Sequence, residues 1–386
     1  MNALKDLFLL DPGLIFLNHG SYGATPRQVF DIYQGWQRRL EQDPVQFINE
    51  ELTPRLGEAR AALGRYLNAD ADDMVYIPNA TFGLNVVAHS LPLKRGDEVV
   101  STDHEYGSVN NIWADVCRRR EACYLRRGIA FPAPSAEAML EQLWDAVTPR
   151  TRAILISHIT SSTALRLPVE QLCRRARAAG IVTIVDGAHA PGQIPVDLTA
   201  MDADFYVGNC HKWLCSPKGA AFLYTRRRLQ PLIIPVIIGW GWGENRRRFT
   251  GSDYVDSLQW LGTNDLSAYL SVPAAIEFQA QYQWPLLREQ CHRRLEAALV
   301  RAAEITGLPS PYPPHGRHFE QMAVFELPAS QDSVAVAQRL YRKYRIQIPG
   351  MAWNGRQFLR ISVQAYNTDQ DLERLLAALR VELAAG

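Results

Sequence analysis

Lysine is scarce in this chain. Of its 41 basic residues only Lys5, Lys94, Lys212, Lys218 and Lys343 are lysine, and the arginines cannot serve as amine nucleophiles because the guanidinium stays charged. Cysteine is sparse too: there are six, none in a C-x-x-C pair, so neither a zinc site nor a disulfide framework is expected. No sign of charge is in surplus. The formal net charge of +1 argues against nucleic acid or an acidic membrane surface as partner. Arginine triplets at 118–120, 226–228 and 246–248 are separate, and read as solvated faces or interface charges. No run approaches the roughly 18 apolar residues of a membrane span. The N-terminus lacks a charged segment leading into a long apolar one, so no signal peptide is expected and the location is read as cytoplasmic. Repeats and low-complexity tracts are also missing. What remains is an ordinary globular composition, 47% hydrophobic and 21% charged over 386 residues, with room for a large domain and a smaller one.

Against that background one stretch stands out, Ile181 to Trp213. The β-branched run Ile181-Val182-Thr183-Ile184-Val185 reads as a strand buried on both faces, and it ends in Asp186. A second run, Ala203 to Gly208, ends in Asn209-Cys210-His211-Lys212. Open α/β sheets bind ligands just beyond the carboxyl ends of their strands. A carboxylate at one tip and a lysine at another suit an aldehyde cofactor: the lysine forms a Schiff base and the carboxylate keeps a pyridine nitrogen protonated. Lys5 lies in a tail, Lys94 in a turn and Lys343 in a basic helical stretch, which leaves Lys218, before the apolar run Gly219 to Tyr224, as the one rival.

The rest of the chain repeats the strand-then-helix pattern. Leu14 to Leu17 is a short strand running into Asn18-His19-Gly20-Ser21-Tyr22, where His19 and Tyr22 are either turn residues or part of an arm over the pocket. Thr25-Pro26 reads as the N-cap and first-turn proline of a helix to about Leu40, and another helix covers Thr53 to Leu67. After the strand Met74 to Pro78, Asn79-Ala80-Thr81 opens a helix whose free N–H groups could cradle a phosphate. The strand Glu98 to Thr102 carries His104 and Tyr106 at its tip, and Tyr106 is favoured to stack on a planar ring. Ala153 to His158 is followed by the hydroxyl-bearing Thr160-Ser161-Ser162-Thr163, then by a helix to Ala179 with Gly180 as its C-cap. This alternation predicts a mostly parallel sheet flanked by helices, an α/β fold. The loop Ile238-Gly239-Trp240-Gly241-Trp242-Gly243 is too rich in glycine for core and reads as a pocket wall or subunit contact. A long helical segment is expected from Leu266 to about Thr306, then a stiff linker over 309–314. Strands Gln321–Leu327 and Phe358–Val363, with helices Ser333–Tyr344 and Thr368–Ala384, make a smaller α+β domain. The expected division is an arm over 1–20, a large cofactor-binding domain over 21–265 and a small C-terminal domain over 266–386.

Taken together, Asn79-Ala80-Thr81, Asp186-Gly187-Ala188-His189, His211-Lys212, Gly262-Thr263-Asn264 and Arg360-Ile361-Ser362 resemble the class V aminotransferase family, pyridoxal 5'-phosphate (PLP) enzymes of fold type I. Leu17 to Gly23, Thr102 to Gly107 and Ser157 to Ser161 look most like its isopenicillin N epimerase branch. The resemblance spans nearly the whole chain. It implies that Lys212 carries the cofactor, Asp186 pairs with the pyridine nitrogen and Tyr106 stacks on the ring. It also implies that His189 and Ser161 lie near the ring hydroxyl, that Asn79, Ala80, Thr81, Asn209 and His211 serve the phosphate, and that Arg360 forks onto a substrate α-carboxylate, with Asn18, His19 and Tyr22 also toward the substrate. Gly262 and Thr263 match a segment that reaches the neighbouring subunit's phosphate site, which implies a homodimer with shared active sites.

The stretch Arg345 to Met351 lacks the mobile cysteine of the family's desulfurases, so persulfide chemistry is not expected, and Cys210 and Cys215 read as packing residues. With freed Lys212 as base, α-proton removal leads to epimerisation, β-elimination or transamination. The first reading is an epimerase-like enzyme acting on an amino acid or the amino-acid side chain of a small peptide. The second is a C–S lyase acting on a cysteine derivative or its sulfoxide, or an aminotransferase, and a third is a catalytically silent fold.

Overall fold

Runs of β-branched and aromatic residues supply seven strands: β1 (Met74–Ile77), β2 (Glu98–Thr102), β3 (Cys123–Arg127), β4 (Thr151–Ser157), β5 (Val182–Asp186), β6 (Phe205–Asn209) and β7 (Ala221–Thr225). In the computed structural model, which describes residues 4–313 and 316–384, they form one sheet in the order β1-β7-β6-β5-β4-β2-β3. Pro314 of the expected linker, the first three residues of the arm and the last two of the chain lie outside the described residues. Side chains alternate across the sheet. Val75 and Ile77 pack into one core with Leu155, Ile184 and Val207, while Tyr76 packs into the other with Ile154, Ile156 and Val185. Helices α1 (Ala80–Ser90), α2 (Gly107–Arg119) and α3 (Val169–Ala178) are the crossovers that cover these faces.

The sheet is parallel except at β7, which pairs antiparallel with both β1 and β6. The link from β6 to β7, residues 210–220, has no helix and is too short for a crossover, which takes a dozen or more residues. The strand tips that matter are unaffected: β1, β2, β4, β5 and β6 all run the same way and end along one edge.

A second, antiparallel sheet orders β8 (Met322–Glu326), β9 (Gly350–Trp353) and β10 (Arg356–Ser362) as β9-β10-β8. Helices Trp284–Thr306, Ser333–Tyr344 and Asp369–Ala384 pack on it and on one another. The N-terminal segment joins this side, because Ile15–Phe16 pairs in parallel with Ile346–Gln347 and Leu17 O accepts from Ser362 N at 2.9 Å.

Three sequence expectations change. Thr25 is not an N-cap: its hydroxyl donates to Ser216 O, and Pro26 takes the N-cap position of helix Arg27–Gln42. The long segment from Leu266 is three helices, Ser267–Leu270, Val272–Gln281 and Trp284–Thr306, with Gln283 in the left-handed region at φ 51° making the second break. Strand β3 was not expected; it is an edge strand with two arginines and little apolar signal. The triplet 226–228 lies at the surface, with Arg227 and Arg228 exposed, but it is paired: Arg226 and Arg228 reach the buried Asp204 before β6, and Arg227 reaches Asp70 and Asp73 before β1.

Candidate active site

The edge where the strands end is hollow. Lys212 and His211 follow β6, Asp186 ends β5 with Ala188 and His189 just beyond, Ser161 follows β4, Tyr106 follows β2, and Asn79, Ala80 and Thr81 follow β1; with Ser21, Tyr22 and Asn209 they line one cavity of about 200 Å³. Tyr22 and Tyr106 are 73% and 51% exposed, which puts them at its mouth, whereas the charged groups sit at its buried end.

The buried end is held by close backbone packing. Gly23 has φ +69°, and a Cβ there would meet His211 O at 2.1 Å, so the N-terminal segment lies directly on the lysine's backbone. His19, expected at the substrate, lies behind Lys212 instead: its ring bonds Lys212 O at 3.0 Å and the Tyr366 hydroxyl at 3.0 Å, and it is fully buried. Asn18 likewise turns away from the cavity and accepts from the Ser21 hydroxyl at 2.6 Å. Gly187 packs against the Tyr206 ring, where a Cβ would come within 2.1 Å.

Burial sets the charges. Lys212 is pulled down to about 8, chiefly by desolvation and further by Arg360, with Asp186 opposing. Its Nζ lies 3.1 Å from His189 Nε2. Desolvation raises Asp186, although Oδ1 accepts from Ala188 N at 2.9 Å and Lys212 favours its charged form. His189 is driven well below the usual imidazole range by burial and by the charges of Lys212, Arg360 and His211. His211, down at about 4 mainly by burial, donates from Nδ1 to Ala220 O at 3.0 Å. A group not singled out in the sequence stands behind this wall. Glu105 is buried and pushed up to about 7 by desolvation, opposed by hydrogen bonds from Ser157 and Thr102 and reinforced by Asp186. Ser157 bonds both its oxygens and is register-paired with Asp186.

Other expected residues have partners of their own. Asn79 is the N-cap of α1, accepting from Phe82 N at 2.9 Å, and Asn209 accepts from Ala80 N at 3.0 Å. Thr81 Oγ1 lies 3.3 Å from Ser108 Oγ, placing two hydroxyls at the helix start. Arg360, on β10, is one layer behind the cavity wall: Nη1 donates to Ser161 O at 2.7 Å and Oγ at 3.1 Å, Nη2 donates to Ser21 Oγ at 3.0 Å, and the buried Nε has no partner among the described residues. Gly262 and Thr263 are exposed and away from this cavity; Thr263 borders a separate cleft with Trp240 and Phe249. Cys210 and Cys215 are buried, with thiols pushed upward by burial, and neither lines the cavity.

A half-buried amine, a buried carboxylate and a helix N-terminus facing one cavity at the strand ends of a mostly parallel sheet define a cofactor enzyme of the α/β class. The sequence profile of the family described as Aminotransferase class-V matches residues 23–375, and the chain belongs to that family. It is a PLP-dependent enzyme of fold type I. Isopenicillin N epimerase of Amycolatopsis lactamdurans is 35% identical over 96% of each chain, and that of Streptomyces clavuligerus 33% identical over 96% of this chain and 95% of its own. A probable chloroplastic L-cysteine desulfhydrase of Arabidopsis thaliana is 28% identical over 96% of this chain and 83% of its own. Among solved structures, the cystine C–S lyase C-DES superposes with a TM-score of 0.83 at 22% identity, covering 96% of this chain and 98% of its own.

The residues fit the cofactor. Asp186 keeps one carboxylate oxygen without a hydrogen-bond partner among the described residues, which suits a protonated pyridine nitrogen. Burial lowers Lys212 to about 8, which raises the share of free amine available for a Schiff base. The α1 N-terminus with the Thr81 and Ser108 hydroxyls is a donor set for a phosphate. Because Asp186 raises the lysine and Arg360 lowers it, Asp186→Asn should move the midpoint of Lys212 acylation in the cofactor-free protein below about 8, and Arg360→Ala should move it above. Shifts of the same sign in both variants would contradict these electrostatics.

Proposed function

We propose that this enzyme works at the α-carbon of an amino acid, or of the amino-acid side chain of a small peptide, as an isopenicillin N epimerase-like epimerase. The observation that carries this reading is the one cavity lined by Lys212, Asp186, His189 and the Asn79–Thr81 helix start, in which burial lowers the lysine to about 8. The epimerases at 33–35% identity over almost the whole chain support the reaction type. Bound here, PLP would supply an electron sink conjugated to the substrate's α-carbon. Lys212 anchors the cofactor, then takes the α-proton at Nζ. Asp186 holds the pyridine nitrogen in its protonated form. Asn79, Ala80, Thr81, Asn209 and His211 hold the phosphate end, with His189 and Ser161 beside the ring oxygen. Arg360 accepts the substrate carboxylate by exchanging its bonds to Ser161 and Ser21 for it, a planar fork replacing two hydroxyl contacts. Tyr106 stacks on the ring, and Tyr22 closes the mouth over the substrate. The chain divides in this reading into the arm 1–20, the large domain 21–265 and the small domain 266–386.

A second reading is favoured by the cysteine desulfhydrases among the relatives. Here the same proton removal by Lys212 is followed by loss of a β-substituent, as in a C–S lyase. The assay that separates them incubates L-amino acids, cysteine derivatives and small peptides with an amino-acid side chain in D₂O. Inverted substrate labelled at the α-carbon, without pyruvate, is the expected result; pyruvate and ammonia in stoichiometric yield would move the assignment to the lyase. Arg360→Ala should raise KM for the carboxylate substrate about 10²-fold, the loss of a charged hydrogen-bonded pair worth about 3 kcal/mol.

The enzyme is further proposed to act as a cytoplasmic homodimer with shared sites. Free cysteines support a reducing compartment. Ile234, Val236, Ile237, Ile238, Trp240 and Trp242 are all more than a third exposed, a larger apolar run than a monomer usually leaves to water. The exposed Gly262 and Thr263 lie beside it. Mixing Lys212→Ala with Thr263→Arg subunits should restore activity to two inactive parents. A mixture with no activity, or a monomeric mass in sedimentation, would contradict shared sites.

A further inference from the structure

Trp213 follows Lys212 directly and is completely buried. Its indole Nε1–H donates to His189 Nδ1 at 3.3 Å, and the other nitrogen of that ring, Nε2, lies 3.1 Å from Lys212 Nζ. An indole N–H donates and never accepts. Nδ1 must therefore present its lone pair, and a neutral imidazole with an unprotonated Nδ1 carries its proton on Nε2. An ammonium at Lys212 would then turn an N–H toward another N–H, whereas an uncharged amine turns its lone pair toward the Nε2 proton. The arrangement has little slack. Gln279 Nε2 donates to Trp213 O at 2.8 Å, the His19 ring packs on the indole at 5.0 Å between centroids, and Gln193 Nε2 donates to His189 O at 2.6 Å.

We propose that Trp213 is a positioning residue acting through His189: its indole fixes the imidazole as the Nε2–H tautomer, so that His189 donates to the Lys212 nitrogen and holds it as the free amine. The inference rests on the reading of Lys212 as the reactive lysine, but its test does not, because it is read in the cofactor-free protein. Charged or titratable groups facing the pair are Asp186, which raises Lys212, Arg360, which lowers both, and His211, which lowers His189. Trp213→Phe leaves all of these in place and removes the donor together with part of the buried ring's volume, two effects that a His189→Gln background separates. The imidazole is then free to carry its proton on Nδ1 and accept from the ammonium.

Two measurements test this. In ¹⁵N-histidine spectra of the cofactor-free wild type above the lysine's midpoint, His189 should show the Nε2–H pattern; an Nδ1–H pattern would overturn the proposal outright. In the pH dependence of Lys212 acylation, Trp213→Phe should raise the midpoint by roughly one unit. An unmoved midpoint in a folded variant would overturn it. In a His189→Gln background the same Trp213→Phe change should have no effect, since an amide has no tautomer to select. A shift of equal size there would mean that Trp213 acts by packing alone, and would refute the proposal.

Discussion

The site depends on holding one amine, that of Lys212, partly out of water at the buried end of the cavity. Burying an ammonium and a carboxylate side by side costs several kcal/mol per ion unless neighbours compensate, and the fold meets that cost by bringing five parallel strand ends to one edge. Asp186 ends β5, and Lys212 lies just past the end of the adjacent β6, in the turn that opens the 210–220 connection, so register and that turn together set their separation. The second sheet contributes Arg360 from β10 and ties down the N-terminal segment, whose Gly23 and His19 press on the lysine's backbone from the other side. Lys212 is thereby gripped from the sheet, from the arm and from Trp213.

The charge pattern follows from this burial. His19 and His158 fall to about 3 and His211 to about 4, each mainly through burial, so the surrounding imidazoles are uncharged at neutral pH. Positive charge at the buried end is concentrated in Lys212 and Arg360, and negative charge in Asp186. Behind them Glu105, raised to about 7, titrates close to neutrality next to Asp186. Perturbed groups gather at functional sites because the same burial that shifts them also excludes water from the reacting atoms.

Much of the site could be read from the sequence because its residues are strand-tip residues, and strand tips are visible as the ends of apolar runs. Asp186, Lys212, Thr81, Ser161 and Tyr106 were all found that way. Trp213 and Glu105 were not, although both sit inside segments that drew attention. A tryptophan beside a lysine looks like core, and nothing local tells that Glu105 is sealed behind Ser157, since that depends on the pairing of Ser157 with Asp186 across strands. His19 and Tyr22 read alike in the sequence, as turn residues or an arm over the pocket; the short helix His19–Tyr22 turns the two to opposite sides, one buried and one exposed. Arg360 was identified by its match to a motif, but its place behind Ser161 and Ser21 is a matter of tertiary packing. The edge strand β3 is hard to read because an edge strand with one neighbour needs few apolar residues, whereas the reversal of β7 is signalled only by a connection too short for a parallel crossover.

The central claim is that Lys212, and no other lysine, bears the cofactor. Its most direct test is borohydride reduction of the enzyme loaded with pyridoxal 5'-phosphate, followed by proteolysis and mass mapping of the labelled peptide. The account predicts a single phosphopyridoxyl group on Lys212, lost in Lys212→Ala. A label on Lys218, or a protein that takes up no cofactor, would contradict it.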